Sequence, residues 1–74
     1  MPQYELERVG PAQFTGLVRG RSPEDAVRRA AGLGEAAAVE VRPPDEPDAW
    51  QEVRVDGAAA GHVRPHARMR FRRD

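Results

Sequence analysis

Residues 22–34 read SPEDAVRRAAGLG, and this stretch decides the fold because it carries the clearest helix signals in the chain. Ser22 is a good N-cap, since its hydroxyl can accept a hydrogen bond from a first-turn amide. Pro23 follows at the first helical position, where a missing N–H costs nothing. Apolar residues recur at helical spacing along one side, and Gly32 or Gly34 supplies the stop. The pattern predicts a single amphipathic helix.

The segments around this helix alternate between apolar and polar residues, which is typical of strands. Short breaks rich in glycine and proline separate them. The order predicts a ββαβββ α+β fold, a single small sheet of about five strands with one helix on one face. The other face is then open to water or to a partner. The expected extended segments are residues 3–9, 14–20, 37–42, 50–55 and 64–72.

The dipeptide Asp56-Gly57 is the strongest hairpin signal in the chain. A two-residue turn in an unbroken ladder would place Val63 on the face opposite Val53. A three-residue loop over residues 55–57, or a bulge near Gly61, places both valines on the same face. We therefore expect either the three-residue loop or the bulge.

The length of 74 residues allows one small α+β domain, residues 1–74, with one core. Residues 43–48, PPDEPD, form an acidic, proline-rich loop that we expect to be exposed. With no cysteine, the chain has neither a disulfide nor a thiolate metal site. The expected core consists of Tyr4, Leu6, Phe14, Val18, Val27, Ala30, Leu33, Val39, Val41, Trp50, Val53, Val55, Val63, Met69 and Phe71.

Twelve basic and twelve acidic residues balance overall, yet five of the arginines lie in residues 64–74. Every basic residue is arginine, and with the abundant alanine, glycine and proline this indicates the codon bias of a GC-rich genome. The choice of arginine over lysine is therefore weak evidence for bidentate recognition. The first ten residues resemble no targeting peptide, and no apolar run reaches membrane-spanning length. We expect a cytoplasmic, prokaryotic protein with no membrane role.

The strand alternation predicts that arginine outnumbers glutamate on the open face, eight to four. Such a surface attracts phosphates or an acidic protein, and Trp50 could stack on bases there. Alternatively, if the C-terminal strand lies beside the first, Glu5 and Glu7 form ion pairs with the arginines on a solvated face. Trp50 then covers the core. The candidate binding residues are Arg42, Trp50, Arg54, Arg64, Arg68, Arg70 and Arg72. The other charged residues predicted on this face are Glu5, Glu7, Arg19, Arg21, Glu40 and Glu52.

Catalytic and metal chemistry find little support in the sequence. His62 and His66 are four residues apart, but Pro65 and the strand pattern argue against the helix that would pair them. The serine and threonine hydroxyls number two, Thr15 and Ser22, and there is no cysteine or lysine. We predict no catalytic residues, no metal and no cofactor, and hence not an enzyme.

The functional hypothesis is a small non-catalytic binding module that meets nucleic acid or another anionic partner through the arginine-rich face and the C-terminal strand. The alternative is a structural or assembly protein that self-associates as a homo-oligomer, through a strand edge or the open face, with no nucleic-acid role.

Overall fold

The computed structural model describes residues 2–46 and 49–66. Their strands form one antiparallel sheet in the spatial order β2-β1-β5-β4-β3, and the helix packs on one face of it. The predicted small α+β fold is confirmed. The elements are β1 (Gln3–Val9), β2 (Phe14–Arg19), α1 (Pro23–Ala31), β3 (Val39–Val41), β4 (Gln51–Val55) and β5 (Ala58–Pro65).

The helix α1 begins and ends where its capping residues predict. The Ser22 hydroxyl accepts from the Asp25 N–H at 3.1 Å, and the Asp25 carboxylate accepts from the Arg21 N–H at 2.9 Å. Gly32 ends the helix in the left-handed region, with φ of 66°. Because α1 follows the edge strand β2 and leads to the opposite edge strand β3, it crosses the sheet and contacts four of its strands.

No helix within residues 2–46 and 49–66 has the length and apolar character needed to cross a membrane.

The strand β3 has three residues, where the sequence predicts an extended segment from residue 37 to residue 42. The residues before Val39 that were expected to be extended instead belong to a turn, which is hydrogen-bonded to the helix. Arg28 donates from Nη1 to the Gly34 carbonyl at 2.6 Å and from Nη2 to the Ala37 carbonyl at 2.8 Å. Since these carbonyls are satisfied by a side chain, they need no partner strand.

The hairpin between β4 and β5 has a two-residue turn, so the predicted three-residue loop is wrong. Val55 is opposite Ala58, and Asp56 and Gly57 have φ of 52° and 85°, as the tight hairpin turn demands. The expected bulge near Gly61 is confirmed: the register shifts between Glu52 and Arg54, and Gly61 has φ of 112°.

The core lies between α1 and the sheet. Seven apolar residues of the described ranges are buried. The apolar residues packed around them include Phe14, Val18, Ala30, Val39, Val41 and Val55. Two expected core residues lie outside it: Leu33 follows the helix stop, and Trp50 is 38% exposed on the opposite face. Met69 and Phe71 lie outside the described residues. The buried set is Tyr4, Leu6, Val9, Ala26, Val27, Val53 and Val63.

Val9 enters the core through a bulge in β1 that the alternation does not predict. The register with β2 shifts between Leu6 and Val9, and Arg8 has φ of 54°. Because the bulge inserts one extra residue into β1, Val9 points to the same side of the sheet as Tyr4 and Leu6. The Arg8 N–H donates to the Thr15 hydroxyl at 3.1 Å, which fixes the bulge.

Candidate binding face

The sheet face opposite α1, here called the open face, displays alternate residues of the five strands and their flanks. None of these side chains belongs to the buried core. They are Gln3, Glu5 and Glu7 from β1, Thr15, Leu17 and Arg19 from β2, Glu40 and Arg42 at β3, Trp50, Glu52 and Arg54 at β4, and His62, Arg64 and His66 at β5.

At the centre of the open face, an arginine forms an ion pair with a glutamate and stacks on a tryptophan ring. Because β5 lies beside β1, Glu5 and Arg64 are directly opposite each other. Arg64 donates from Nε to Glu5 Oε1 at 2.6 Å. Its guanidinium carbon also lies 4.3 Å from the centroid of the Trp50 ring, within the range of a cation–π interaction. The carboxylate and the indole together fix the orientation of this arginine.

The second oxygen of Glu5 is also engaged. His66 Nδ1 lies 3.1 Å from Glu5 Oε2. The hydrogen bond from Arg64 is the main reason why the pKa of Glu5 lies below its ordinary value; His66 adds to this effect and partial burial opposes it. Glu5 is therefore ionised at neutral pH, with a cationic donor on one oxygen and a ring nitrogen on the other.

Arg42 and Arg54, the other candidate binding arginines on the described part of this face, share one carboxylate. Arg42 lies 3.4 Å and Arg54 lies 3.7 Å from the oxygens of Glu52. Both arginines are exposed, so each contact stabilises the fold by about 1 kcal/mol at most. Their guanidinium groups can therefore turn to a ligand at little cost.

The predicted excess of four arginines on this face depends on Arg21 and on three arginines outside the described residues. Within the described ranges the face carries four arginines, Arg19, Arg42, Arg54 and Arg64, and four glutamates, Glu5, Glu7, Glu40 and Glu52. Arg21 lies beyond β2, in the loop that leads into α1. Three candidate binding residues lie outside the described residues: Arg68, Arg70 and Arg72.

Among the described residues, two large apolar side chains are exposed on the open face: Leu17 at 49% and Trp50 at 38%. Together with Thr15 they line a depression of about 280 Å³. On its other side, Trp50 lines a second depression, of about 180 Å³, with Arg42 and Pro43. Trp50 is among the candidate binding residues predicted from the sequence, whereas Leu17 is not. The signal for Leu17 was the alternation of β2, which places it on the same face as Thr15 and Arg19.

No metal centre or resemblance identifies a ligand for this face. Within the described ranges there is no group of three histidine, cysteine or acidic side chains that could hold a metal ion. Comparison of the chain with protein-family models, with curated proteins and with solved structures finds no match.

Proposed function

We propose that the chain is a small, non-catalytic binding module that holds single-stranded nucleic acid on its open face. The observation that carries the proposal is Trp50, a large aromatic ring left exposed beside a fixed arginine. Base stacking on aromatic side chains, with arginine beside them, is the usual basis of single-strand binding.

The contacts of Arg64 support this role. The arginine bonds to Glu5 through Nε, and this hydrogen bond leaves the terminal nitrogens Nη1 and Nη2 as donors for a phosphate or a base edge. Because Glu5 and Trp50 hold the guanidinium in place, little side-chain entropy is lost when a ligand binds. Arg42, on the far side of Trp50, adds a mobile positive charge.

The electrostatic attraction is assigned to the C-terminal segment. Residues 67–74 contain four arginines and one aspartate, whereas the described part of the open face carries equal numbers of arginine and glutamate. We therefore attribute affinity mainly to Arg68, Arg70 and Arg72, and base stacking to Trp50. Salt should therefore weaken the electrostatic contribution of the arginines and leave the stacking contribution of Trp50 unchanged.

The test is a titration of a labelled mixed-sequence DNA strand with the full chain, at several salt concentrations. The chain has one tryptophan, so its fluorescence reports Trp50 directly. We expect binding that weakens steeply with salt and quenches this fluorescence. Replacing Trp50 by leucine should weaken binding about tenfold. Replacing Arg68 and Arg70 by serine should reduce the salt slope by about 1.4.

The matched control replaces two other arginines by serine: Arg21, just before α1, and Arg29, within it. It loses the same charge as the variant with Arg68 and Arg70 replaced. This variant should bind nearly as well as the wild type. Absent or salt-independent binding would contradict the proposal. Salt-sensitive binding to poly-glutamate without binding to DNA would point to an acidic protein as the partner instead.

A further inference from the structure

The free edge of β2 carries an unusual combination of features. Within the described residues, β2 has one neighbour, β1, and so forms one edge of the sheet. Natural edge strands are generally shortened, charged, bulged or interrupted by proline. The opposite edge, β3, has three residues and is soon followed by Pro43 and Pro44. In contrast, β2 has six residues, no proline and a single charge, Arg19.

The ladder between β1 and β2 shows which backbone groups point to the free edge. The Gly20 N–H donates to the Pro2 carbonyl at 3.1 Å, and the next residues inward, Gln3 and Arg19, are directly opposite. Hydrogen-bonded and non-hydrogen-bonded pairs alternate in an antiparallel ladder. Gly16 and Val18 therefore bond to β1, whereas the N–H and C=O groups of Thr15, Leu17 and Arg19 point away from it.

We propose that this edge pairs with the same edge of a second copy, in antiparallel register with Leu17 on the two-fold axis. This register uses all three outward-pointing residues of each copy, giving about six main-chain hydrogen bonds. A shift to either side loses some of them. The interface is isologous, so it closes as a dimer and does not propagate.

The side chains of β2 suit this register. Leu17, which is 49% exposed, would meet its own copy across the axis and bury apolar surface. Arg19, the one charged residue of the strand, would face Thr15 of the other copy, so no like charges lie directly opposite. On the helix side, Gly16 would face Val18, a small residue against a large one.

The proposal is independent of nucleic-acid binding, and its test contains no nucleic acid. Sedimentation velocity of the full chain between about 10 µM and about 1 mM should show a shift from monomer to dimer, since an edge contact is small and weak. Amide exchange followed by NMR should show protection of Leu17 that grows with concentration. Val18, which bonds to β1, should be protected throughout.

Two variants separate pairing from folding. Leu17→Lys places like charges on the axis, and Leu17→Pro removes an N–H that the β1 ladder does not use. Both should stay monomeric at concentrations where the wild type is dimeric, with an unchanged far-UV circular dichroism spectrum. Ala36→Lys, in an exposed turn, should dimerise as the wild type does.

Three outcomes would overturn the proposal. The first is a wild-type chain that stays monomeric over the whole range with rapid exchange at Leu17. The second is a monomer in which the Leu17 amide is protected at every concentration, which would mean that other residues of the same chain cover the edge. The third is a dimer that persists in both Leu17 variants.

Discussion

At the scale of single residues, Glu5 connects several groups of the open face. Its carboxylate accepts from Arg64 and lies against His66, and Arg64 in turn lies over Trp50. One acidic residue on β1 therefore orients Arg64 on the neighbouring strand β5, and Arg64 in turn contacts the ring of Trp50, which precedes β4. In the sequence, Glu5 is one of two outward-facing glutamates that could pair with the C-terminal arginines, and the alternation does not identify Arg64 as its partner.

The ion pair of Glu5 makes the stability of the fold depend on pH. Because its folded-state pKa lies below the ordinary value of 4.5, the stabilisation is present above that value and is lost as the pH falls through the folded pKa. The wild type should therefore lose stability as the pH falls from about 5 through the lowered pKa of Glu5, and Glu5→Gln should lose less. Urea unfolding at several pH values measures both.

Glu35→Gln is the control for this measurement, since Glu35 is exposed in a turn and forms no ion pair within the described ranges. It should keep the pH dependence of the wild type, including the contribution of Asp25, whose pKa is lowered mainly by the hydrogen bond from the Arg21 amide. A Glu5→Gln protein with the full wild-type pH dependence would contradict the assignment.

At the scale of elements, two bulges determine which residues face the core. The bulge at Arg8 turns Val9 inward, and the bulge at Gly61 brings Val63 to the side of Val53. The two bulges are in contact. A Cβ added to Gly61 would lie 2.5 Å from the Arg8 carbonyl oxygen, so the close approach of β1 and β5 requires glycine at this position.

Replacing Gly61 by alanine should destabilise the fold by about 1–3 kcal/mol, because a non-glycine residue would have to adopt φ of 112° and displace the backbone of β1. Thermal or urea unfolding measures this loss. Gly34→Ala is the matched control, since a Cβ there meets nothing within 4 Å. Equal stability of the two variants would show that the bulge tolerates a side chain.

At the scale of the whole molecule, α1 covers one face of the sheet, and no other described helix covers the opposite face. Val27 lies at the centre of the closed side and is fully buried. Trp50 lies on the opposite side and is partly exposed. Because a domain of this size has one core, loss of packing around Val27 should be felt on both faces.

Val27→Ala should lower the free energy of unfolding by about 1.5–3 kcal/mol. Far-UV circular dichroism and Trp50 fluorescence should still give coincident transitions, as expected of a single cooperative unit. Leu33→Ala, a truncation outside the core cluster, should cost less. Separate transitions for the two signals would show that the open face unfolds independently of the helix.

The sequence by itself determined the elements and their order, because caps, alternation and turn residues are local signals. Ser22, Pro23 and Gly32 define the helix, and Asp56-Gly57 the hairpin. The tertiary structure decided which strands are neighbours, where the bulges lie and which partner each charge finds. Glu5 meets Arg64 across a gap of 59 residues in the chain. No local pattern encodes such a contact, because it exists only once β5 has taken its place beside β1.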